Sequence, residues 1–288
     1  MAQPTLHVGC PMWAQRAWVG RFLPADTAAG GELSAYSRLL NAVEGNTTFY
    51  AAPTPATVAR WREQALPGFR FVFKVPKRIT HERRLRGVDA ELTAFCRLME
   101  PLGELIGSFT LQLPPSFGPD DMAALENALR RRPPAWRWSV EVRHPAFFTG
   151  AGRLALDAML RRFDVERVLL DTEPLFERPP TTDDGREEWE QKPRLPALRE
   201  PITAQPIVRI IGNDDPTVTA AGVAVWTPIV AQWLRHGRTP TVFLHTPDNS
   251  GTPALALAFH AAVGQLVHDL QPLPSPPPLS SKAQGSLF

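Results

Sequence analysis

The chain has 288 residues, of which 43% are hydrophobic, and a formal net charge of only +2. This length suits one large domain or two small ones, and the composition is sufficient for a substantial core. Cys10 and Cys96 lack disulfide or metal spacing, residues 1–4 do not resemble the start of a signal peptide, and no apolar run reaches membrane-spanning length. We therefore predict a cytoplasmic protein with no membrane partner.

Eight short apolar runs, rich in β-branched or aromatic residues, recur along the chain and end in polar side chains. They cover residues 6–9, 42–46, 69–75, 108–113, 138–142, 167–170, 207–211 and 241–244. Helical periodicity or capping signals separate most of them, at residues 32–40, 55–61, 89–102, 119–132, 153–163, 220–234 and 254–270. Eight strands alternating with helices predict an α/β protein with a single (β/α)8 TIM-type barrel over residues 1–270.

Two segments depart from this alternation. Residues 177–206 are Pro-rich and charged where a sixth barrel helix is expected, so we predict an irregular insertion after strand 6. It either folds over the mouth of the barrel or is a solvated loop. Residues 271–288 are Pro-rich and cannot form a core face, so we predict a disordered tail that acts as a tether.

Polar side chains gather at the predicted strand ends, which is where TIM barrels carry their active sites. The candidate catalytic groups are Glu44, Glu141 and Asp171. The candidate substrate- or anion-binding residues are Trp13, Asn46, Tyr50, Lys74, Lys77, His81, Gln112, Arg143, His144, Arg209, His245 and Asn249. Strand alternation predicts that Glu44, Asn46, Lys74, Gln112, Glu141, Arg143, Asp171 and Arg209 face the barrel interior.

This set combines carboxylates that transfer protons with cations that bind an anionic group. The basic loop 77–86 is read either as a phosphate clamp or as a solvated charged loop. Nearby aromatic residues are suited to stacking a base or sugar. The sequence therefore predicts an enzyme acting on a phosphate-bearing substrate, most plausibly DNA or a nucleotide. The alternatives are a binding module without turnover, and buried ion pairs such as Glu141–Arg143 that only close the barrel.

A third alternative is a divalent-metal-dependent hydrolase or isomerase of the endonuclease IV or xylose isomerase type. His81, His144 and His245, together with Glu141 and Asp171, are residue types that bind zinc or manganese. No diagnostic spacing connects them, and either His81 or His144 also suits a turn or capping role. We therefore predict no metal ligands and no cofactor.

Four motifs carry a family resemblance. They are EGNTTFY at 44–50, FVFK at 71–74 with ITH at 79–81, QLPPSF at 112–117 and EVRH at 141–144. In this order they resemble the YecE-like family, catalogued as domain of unknown function 72, over residues 6 to about 265. The resemblance implies a TIM-type barrel and no established reaction. The chain departs from the family's pattern after the first strand, at Cys10 to Trp13, and after the eighth, at His245 to Asn249.

The last five residues, 284–288, form a separate signal. Gln284, Leu287 and Phe288 occupy the fixed positions of the pentapeptide by which bacterial replication and repair proteins bind the β sliding clamp. Adjacent Leu and Phe side chains can enter an apolar groove, and the Pro-rich segment before them provides reach. The sequence predicts that the clamp is a partner. The alternative is a chance match.

Overall fold

The computed structural model describes residues 3–274 of the chain. Eight parallel strands form a closed barrel in sequence order, in which β1 pairs with both β2 and β8. The strands are β1 (His7–Cys10), β2 (Ala42–Gly45), β3 (Arg70–Lys74), β4 (Ile106–Gln112), β5 (Trp138–Glu141), β6 (Glu166–Asp171), β7 (Ile207–Ile211) and β8 (Thr241–His245). The predicted TIM-type barrel is confirmed, and each predicted strand overlaps an observed one.

Helices follow the strands around the outside of the barrel. They are α1 (Glu32–Ser37), α2 (Thr47–Tyr50), α3 (Pro55–Gln64), α4 (Asp89–Met99), α5 (Met122–Arg131), α6 (Gly150–Phe163), α7 (Glu173–Phe176), α8 (Asp183–Gln191), α9 (Pro216–Arg235) and α10 (Thr252–Leu266). Short 3-10 turns lie at Arg16–Trp18, Glu100–Leu105, Pro119–Asp121 and Pro145–Phe147, and a π-helical turn lies at Arg78–Glu82.

The barrel interior is apolar in its lower part and polar towards the carboxyl ends of the strands. A small cluster of Ala42, Val72, Val168, Ile207 and Phe243 fills the lower interior. The larger core lies between the strands and the helices. Because alternate residues of a strand face opposite sides, the residue two positions further along β2, β3, β7 or β8 is again interior but nearer the mouth. These positions are Glu44, Lys74, Arg209 and His245.

The insertion after β6 is more ordered than predicted. Thr182 caps α8 by accepting a hydrogen bond from the Gly185 N–H, and Thr172 donates to the Pro193 carbonyl. The expectation of an irregular segment over 177–206 is wrong for α8, which occupies Asp183–Gln191. The helix is rich in charged residues and has no long apolar stripe, so hydrophobic periodicity does not reveal it.

Helix α9 corrects the prediction that no apolar run reaches membrane-spanning length. It is 20 residues long and apolar enough to cross a membrane by length and composition. Trp226 and Val230 on this helix are fully buried, and α9 packs against α7 and α10. Its length and hydrophobicity therefore serve the core of the barrel, in the layer between strands and helices.

Two further observations concern the ends of the barrel. Gln271 is held to its amino-terminal side, where its N–H donates to the Pro4 carbonyl. The rest of the predicted tail, from residue 275, lies outside the described residues. Cys10 is buried against Tyr36, and burial raises the pKa of its thiol to about 12, as suits a core residue rather than a nucleophile.

Candidate active site at the mouth of the barrel

Five charged side chains from four strands meet inside the upper barrel. Glu44 is the penultimate residue of β2 and Lys74 the last of β3, Glu141 ends β5 with Arg143 two residues beyond it, and Arg209 lies in β7. We call these five residues the mouth cluster. Strand alternation predicted that all five face the interior, and the structure brings them together. The cluster contains three cations and two carboxylates.

Arg209 joins the two carboxylates. Its Nε lies 2.6 Å from Glu44 Oε1, and its Nη1 lies 2.8 Å from Glu141 Oε2. The Arg209 side chain is 6% exposed and the Glu141 side chain is fully buried. Burial favours the neutral form of Arg209, yet Glu141 and Glu44 outweigh it and raise the pKa of the guanidinium above its ordinary value. Arg209 is therefore a permanent cation that links β2 to β5.

Both oxygens of Glu141 are occupied by arginines. Oε1 accepts hydrogen bonds from Arg143 Nε (2.9 Å) and Nη2 (2.8 Å), while Oε2 accepts the bond from Arg209. Burial alone would raise the pKa of Glu141, but the charges of Arg209 and Arg143 hold it well below its usual range. A carboxylate held in this way is a poor proton donor and a weak base at neutral pH. Its role is to orient cations.

Lys74 is the least constrained member of the mouth cluster. Its Nζ lies 3.7 Å from Glu44 Oε2, beyond hydrogen-bond distance, and its side chain is 7% exposed. Burial and the charge of Arg209 lower its pKa to about 8, against the opposing effect of Glu44. Its backbone is fixed, because Thr48 Oγ1 donates a 2.6 Å hydrogen bond to the Lys74 carbonyl. At pH 7 the amine is therefore mostly a cation, but its neutral form is far more accessible than that of an ordinary lysine.

Three buried polar atoms beside the cluster have no hydrogen-bond partner. They are Asn46 Oδ1, Gln112 Oε1 and His245 Nδ1, which follow or end β2, β4 and β8. The orientation of Asn46 is fixed, because its Nδ2 donates to Glu44 Oε2 and to the Pro11 carbonyl, both at 2.9 Å. Unpaired polar atoms of this kind are costly in a folded protein. They are the groups that a ligand with hydroxyl or amine donors would satisfy.

His81 and Lys77 lie on the rim of the mouth. His81 Nδ1 is 2.9 Å from Thr80 Oγ1, and its ring packs edge-on against Phe49. Burial and the charge of Arg143 lower the pKa of His81 to about 4, so its imidazole is neutral at physiological pH. Lys77 is exposed, and its charge contributes to the same pKa shift. His81 therefore lies within electrostatic reach of the mouth cluster, and Lys77 lies within reach of His81.

Asp171 does not belong to this site. Its Oδ2 accepts a 2.7 Å hydrogen bond from Trp226 Nε1 on α9, and its Oδ1 accepts from the Glu173 N–H. The side chain therefore points outward into the helix layer, and its predicted interior position is wrong. The neighbouring Leu170, which contacts Ile211, has the opposite orientation. Asp171 fastens α7 and α9 to the end of β6.

Trp13, His144 and Asn249 have structural contacts. Trp13 packs edge-on against Trp61 of α3, on the outer side of the barrel. His144 Nδ1 accepts a hydrogen bond from the Ala146 N–H and caps the turn that follows, which is the capping alternative raised by its position before Pro145. Asn249 adopts a left-handed backbone conformation with φ 56°, and its carbonyl accepts from Trp18 Nε1. These contacts give each residue a structural role, and substrate binding by the three stays a prediction.

Tyr50 and the basic loop lie further out. The Tyr50 side chain is 74% exposed and contacts Phe49, away from the mouth cluster. In the loop, Arg84 and Arg86 both form ion pairs with Asp121, and Arg83 pairs with Glu91. These pairs neutralise much of the charge that the phosphate-clamp interpretation requires. The charge of Lys77 acts on His81 of the same loop.

The histidines and acids of the metal alternative do not converge. Among residues 3–274, no three His, Cys, Asp or Glu side chains come together as a ligand set. Asp171 and His144 make the contacts described above, and both oxygens of Glu141 are bonded to arginines. The structure described over residues 3–274 therefore does not contain the metal site considered as the third alternative, with ligands from His81, His144, His245, Glu141 and Asp171.

The sequence interpretation missed one contribution from the insertion. Lys192 follows α8, and its Nζ lies 2.8 Å from Glu188 Oε2. Burial and the charges of Lys192, Arg209 and Lys74 hold the pKa of His245 well below its ordinary value. The insertion therefore brings a cation towards the β8 side of the mouth. The Glu-to-Lys spacing of four residues was the available signal, and it indicates only a helical ion pair.

Comparison with known proteins agrees with this architecture. The family described as a protein of unknown function, DUF72, matches residues 7–279. The chain belongs to the DUF72 family. It is 37% identical to the UPF0759 protein YecE of Escherichia coli K12 over 277 residues, covering 96% of this chain and 99% of that protein. This finding confirms the resemblance recognised in the sequence motifs.

Solved DUF72 structures share the fold. The crystal structure of a DUF72 family protein from Thermotoga maritima has a TM-score of 0.68 at 20% identity, covering 89% of this chain and 98% of that one. A second, from Enterococcus faecalis, has a TM-score of 0.67 at 17% identity, covering 91% and 95%. At these identities the similarity establishes the fold alone and carries no information about activity.

Proposed function

We propose that this DUF72 protein is an enzyme that binds a phosphate-bearing substrate at the mouth cluster. The observation that carries the proposal is the excess of buried cations over carboxylates, three against two, at the catalytic face of a TIM barrel. Buried cations attract an anion strongly, because water screens them poorly. A nucleotide or a segment of nucleic acid supplies such an anion, and so does a smaller phosphorylated compound.

Arg143 is the principal anion-binding group in this proposal. Its Nε and Nη2 bond to Glu141 Oε1, which leaves the Nη1 side of the guanidinium free of Glu141. The side chain is 17% exposed, more than Lys74 or Arg209. An Arg held by a carboxylate on one edge presents its remaining N–H groups in a fixed direction, which favours phosphate binding. Lys77 on the rim adds a mobile charge.

Proton transfer falls to Lys74 rather than to the two glutamates. Arg209 and Arg143 hold Glu141 as an anion, so it keeps these cations in position. Lys74, with a pKa of about 8, can exchange protons near physiological pH, whereas the neutral imidazole of His81 is a weak base there. This assignment retains the predicted substrate class and moves the acid–base chemistry from Glu44 and Glu141 to the amine.

Calorimetric titration with inorganic phosphate tests the anion site. Arg143→Met removes the proposed contact and should weaken phosphate binding at least about 10-fold, since one charge-assisted hydrogen bond contributes roughly 1.5–3 kcal/mol. Arg137→Met is the matched control, because Arg137 is exposed just before β5, at the opposite end of the barrel. Equal binding by wild type and Arg143→Met would contradict the site. Binding with no turnover of any phosphorylated compound would instead identify a binding module.

We also propose that residues 284–288 bind a bacterial β sliding clamp. The supporting observation is the sequence itself, with Gln284, Leu287 and Phe288 at the fixed positions of the clamp-binding pentapeptide. These residues lie outside the described structure, so the proposal is independent of the mouth cluster. Such a contact would bring the barrel to DNA and would favour nucleic acid as the source of the phosphate group.

A further inference from the structure

Lys74 is unusual in this chain because the protein otherwise uses arginine for its positive charge. Only four of its 31 basic residues are lysines: Lys74, Lys77, Lys192 and Lys282. Among those in the described residues, Lys77 is exposed and Lys192 is paired with Glu188, while Lys74 is buried in the mouth cluster. Arginine would fill a purely electrostatic role there with more hydrogen bonds and no loss of charge. Of these two side chains, only lysine supplies a nucleophilic nitrogen.

The surroundings of Lys74 favour that chemistry. Its Nζ is 3.7 Å from Glu44 Oε2, so no close hydrogen bond occupies the amine, while Arg209 carries the tight contact to Glu44 at 2.6 Å. A lysine becomes a nucleophile when desolvation and a neighbouring cation favour its neutral form. Both conditions hold here, and they lower the pKa of Lys74 to about 8. The hydrogen bond from Thr48 Oγ1 to the Lys74 carbonyl fixes the strand backbone that carries the amine.

We propose that the Lys74 amine forms a Schiff base with the carbonyl carbon of a phosphorylated, hydroxyl-bearing aldehyde or ketone. This inference rests on the proposed function and specifies its substrate class. Arg143 binds the phosphate group. Asn46 Oδ1 and Gln112 Oε1, which lack partners, accept hydrogen bonds from the substrate hydroxyl groups. A substrate with a phosphate, a carbonyl and hydroxyl groups would balance the excess positive charge of the cluster. It would also donate hydrogen bonds to the two unpaired acceptors.

The covalent step balances without an added reactant. The neutral Lys74 amine attacks the carbonyl carbon, a C–N bond forms, and the C=O π electrons move to oxygen to give a carbinolamine. The hydroxyl group then leaves as water and a protonated imine remains. Counted from the lysine ammonium, two protons leave in the water and one stays on the imine nitrogen.

Reductive trapping of the full-length protein tests the inference. Wild-type protein is incubated with sodium cyanoborohydride and either dihydroxyacetone phosphate or glyceraldehyde 3-phosphate, and peptide mass mapping locates the reduced adduct. We expect modification of Lys74 at least about 10-fold faster than that of Lys77, Lys192 or Lys282. Glycerol 3-phosphate has no carbonyl group and should give no adduct. An oligonucleotide with one abasic site, which carries an aldehyde beside phosphates, shows whether nucleic acid is an alternative source of the carbonyl.

Two variants separate this inference from the proposed function. Lys74→Arg keeps the charge and removes the nucleophile, so it should lose the adduct, while phosphate binding by the wild-type protein tests the proposed function. Lys74→Met also removes the amine but without the larger arginine side chain, so it excludes misfolding caused by that side chain. Circular dichroism measures whether both variants are folded. Phosphate binding without an adduct at Lys74 from any carbonyl probe would overturn the Schiff base and leave the anion site intact. Equal labelling of all lysines would overturn it as well, and absence of phosphate binding would remove the proposed function itself.

Discussion

Arg209 Nη1 lies 2.8 Å from Glu141 Oε2 in a part of the barrel from which water is almost excluded. This pair connects β7 to β5 across the interior, and a second bond from Arg209 reaches Glu44 on β2. Charges buried in this way must be paired, because removing one partner leaves the other without solvent or counter-charge. The mouth cluster therefore contributes to stability as well as to the proposed phosphate binding, and the two effects have to be measured separately.

Glu141→Gln should destabilise the fold. The substitution keeps the shape of the side chain but leaves Arg209 and Arg143 without their shared anion, and breaking a buried pair costs about 3–5 kcal/mol. Urea unfolding at pH 7 measures the loss of free energy of unfolding. Glu126→Gln is the matched control, since Glu126 pairs with the exposed Arg130 and Arg162 and should contribute less than about 1 kcal/mol. Similar values for both variants would refute a structural role for the buried pair.

Acid should destabilise the protein partly through His7. This buried side chain has an unpartnered Nδ1, and burial together with the charge of Arg70 lowers its pKa to about 4. In the unfolded chain His7 regains its ordinary pKa near 6.5, so the unfolded state binds more protons between pH 6.5 and 4. Its contribution to stability is therefore complete above pH 6.5 and is lost as the pH falls towards 4.

Urea unfolding at pH 7 and at pH 4 measures this effect. His7→Gln should reduce the difference in unfolding free energy between the two pH values by roughly 2–3 kcal/mol. His236→Gln, at an exposed position after α9, is the control and should leave the difference as in wild type. If the two variants show the same acid sensitivity, His7 does not resist protonation in the folded state.

The insertion should loosen when Asp214 is removed. Asp214 Oδ2 accepts hydrogen bonds from the backbone N–H groups of Thr181 and Thr182, both at 2.6 Å, and from their hydroxyl groups. Asp214→Ala removes this anchor just before α8, so hydrogen exchange should accelerate over residues 177–193. Exchange in the strands should stay slow, because no strand contacts that carboxylate. Asp248→Ala is the control, since Asp248 bonds within its own loop, to Ser250.

The barrel itself could be predicted from the sequence, because eight apolar runs alternate with helical segments and each run ends in polar residues. The interior positions of Glu141, the last residue of β5, and Arg143 followed from their spacing of two along an extended chain. The same argument failed at Asp171. Every residue of β6 is buried, since a parallel barrel strand is covered on both faces, so its sequence has no alternation from which to assign a side.

Other parts of the site depended on contacts that no sequence pattern records. The charge of loop 77–86 was evident, but its pairing with Asp121 and Glu91 was not. Likewise, the sequence placed Lys74 and Glu44 in one cavity without indicating that Arg209 takes the closer contact to Glu44. That difference of about one ångström separates a structural ion pair from an available amine, and it depends on how three strands are staggered around the barrel.

The clamp-binding proposal makes a prediction that needs only residues 271–288. A synthetic peptide of this sequence should bind a bacterial β sliding clamp through Leu287 and Phe288, because their apolar area dominates the affinity of a short extended peptide. Burying both side chains contributes roughly 3–6 kcal/mol before the cost of ordering a flexible chain, so we expect micromolar affinity. Fluorescence anisotropy with a labelled peptide measures this affinity.

A peptide carrying Leu287→Ala and Phe288→Ala should bind at least about 30-fold more weakly than the native peptide. A peptide carrying Ser281→Ala, outside the pentapeptide, is the matched control and should bind like the native one. Equal, negligible binding by the native and doubly substituted peptides would contradict the clamp contact and leave the mouth cluster as the sole argument for a phosphate-bearing substrate.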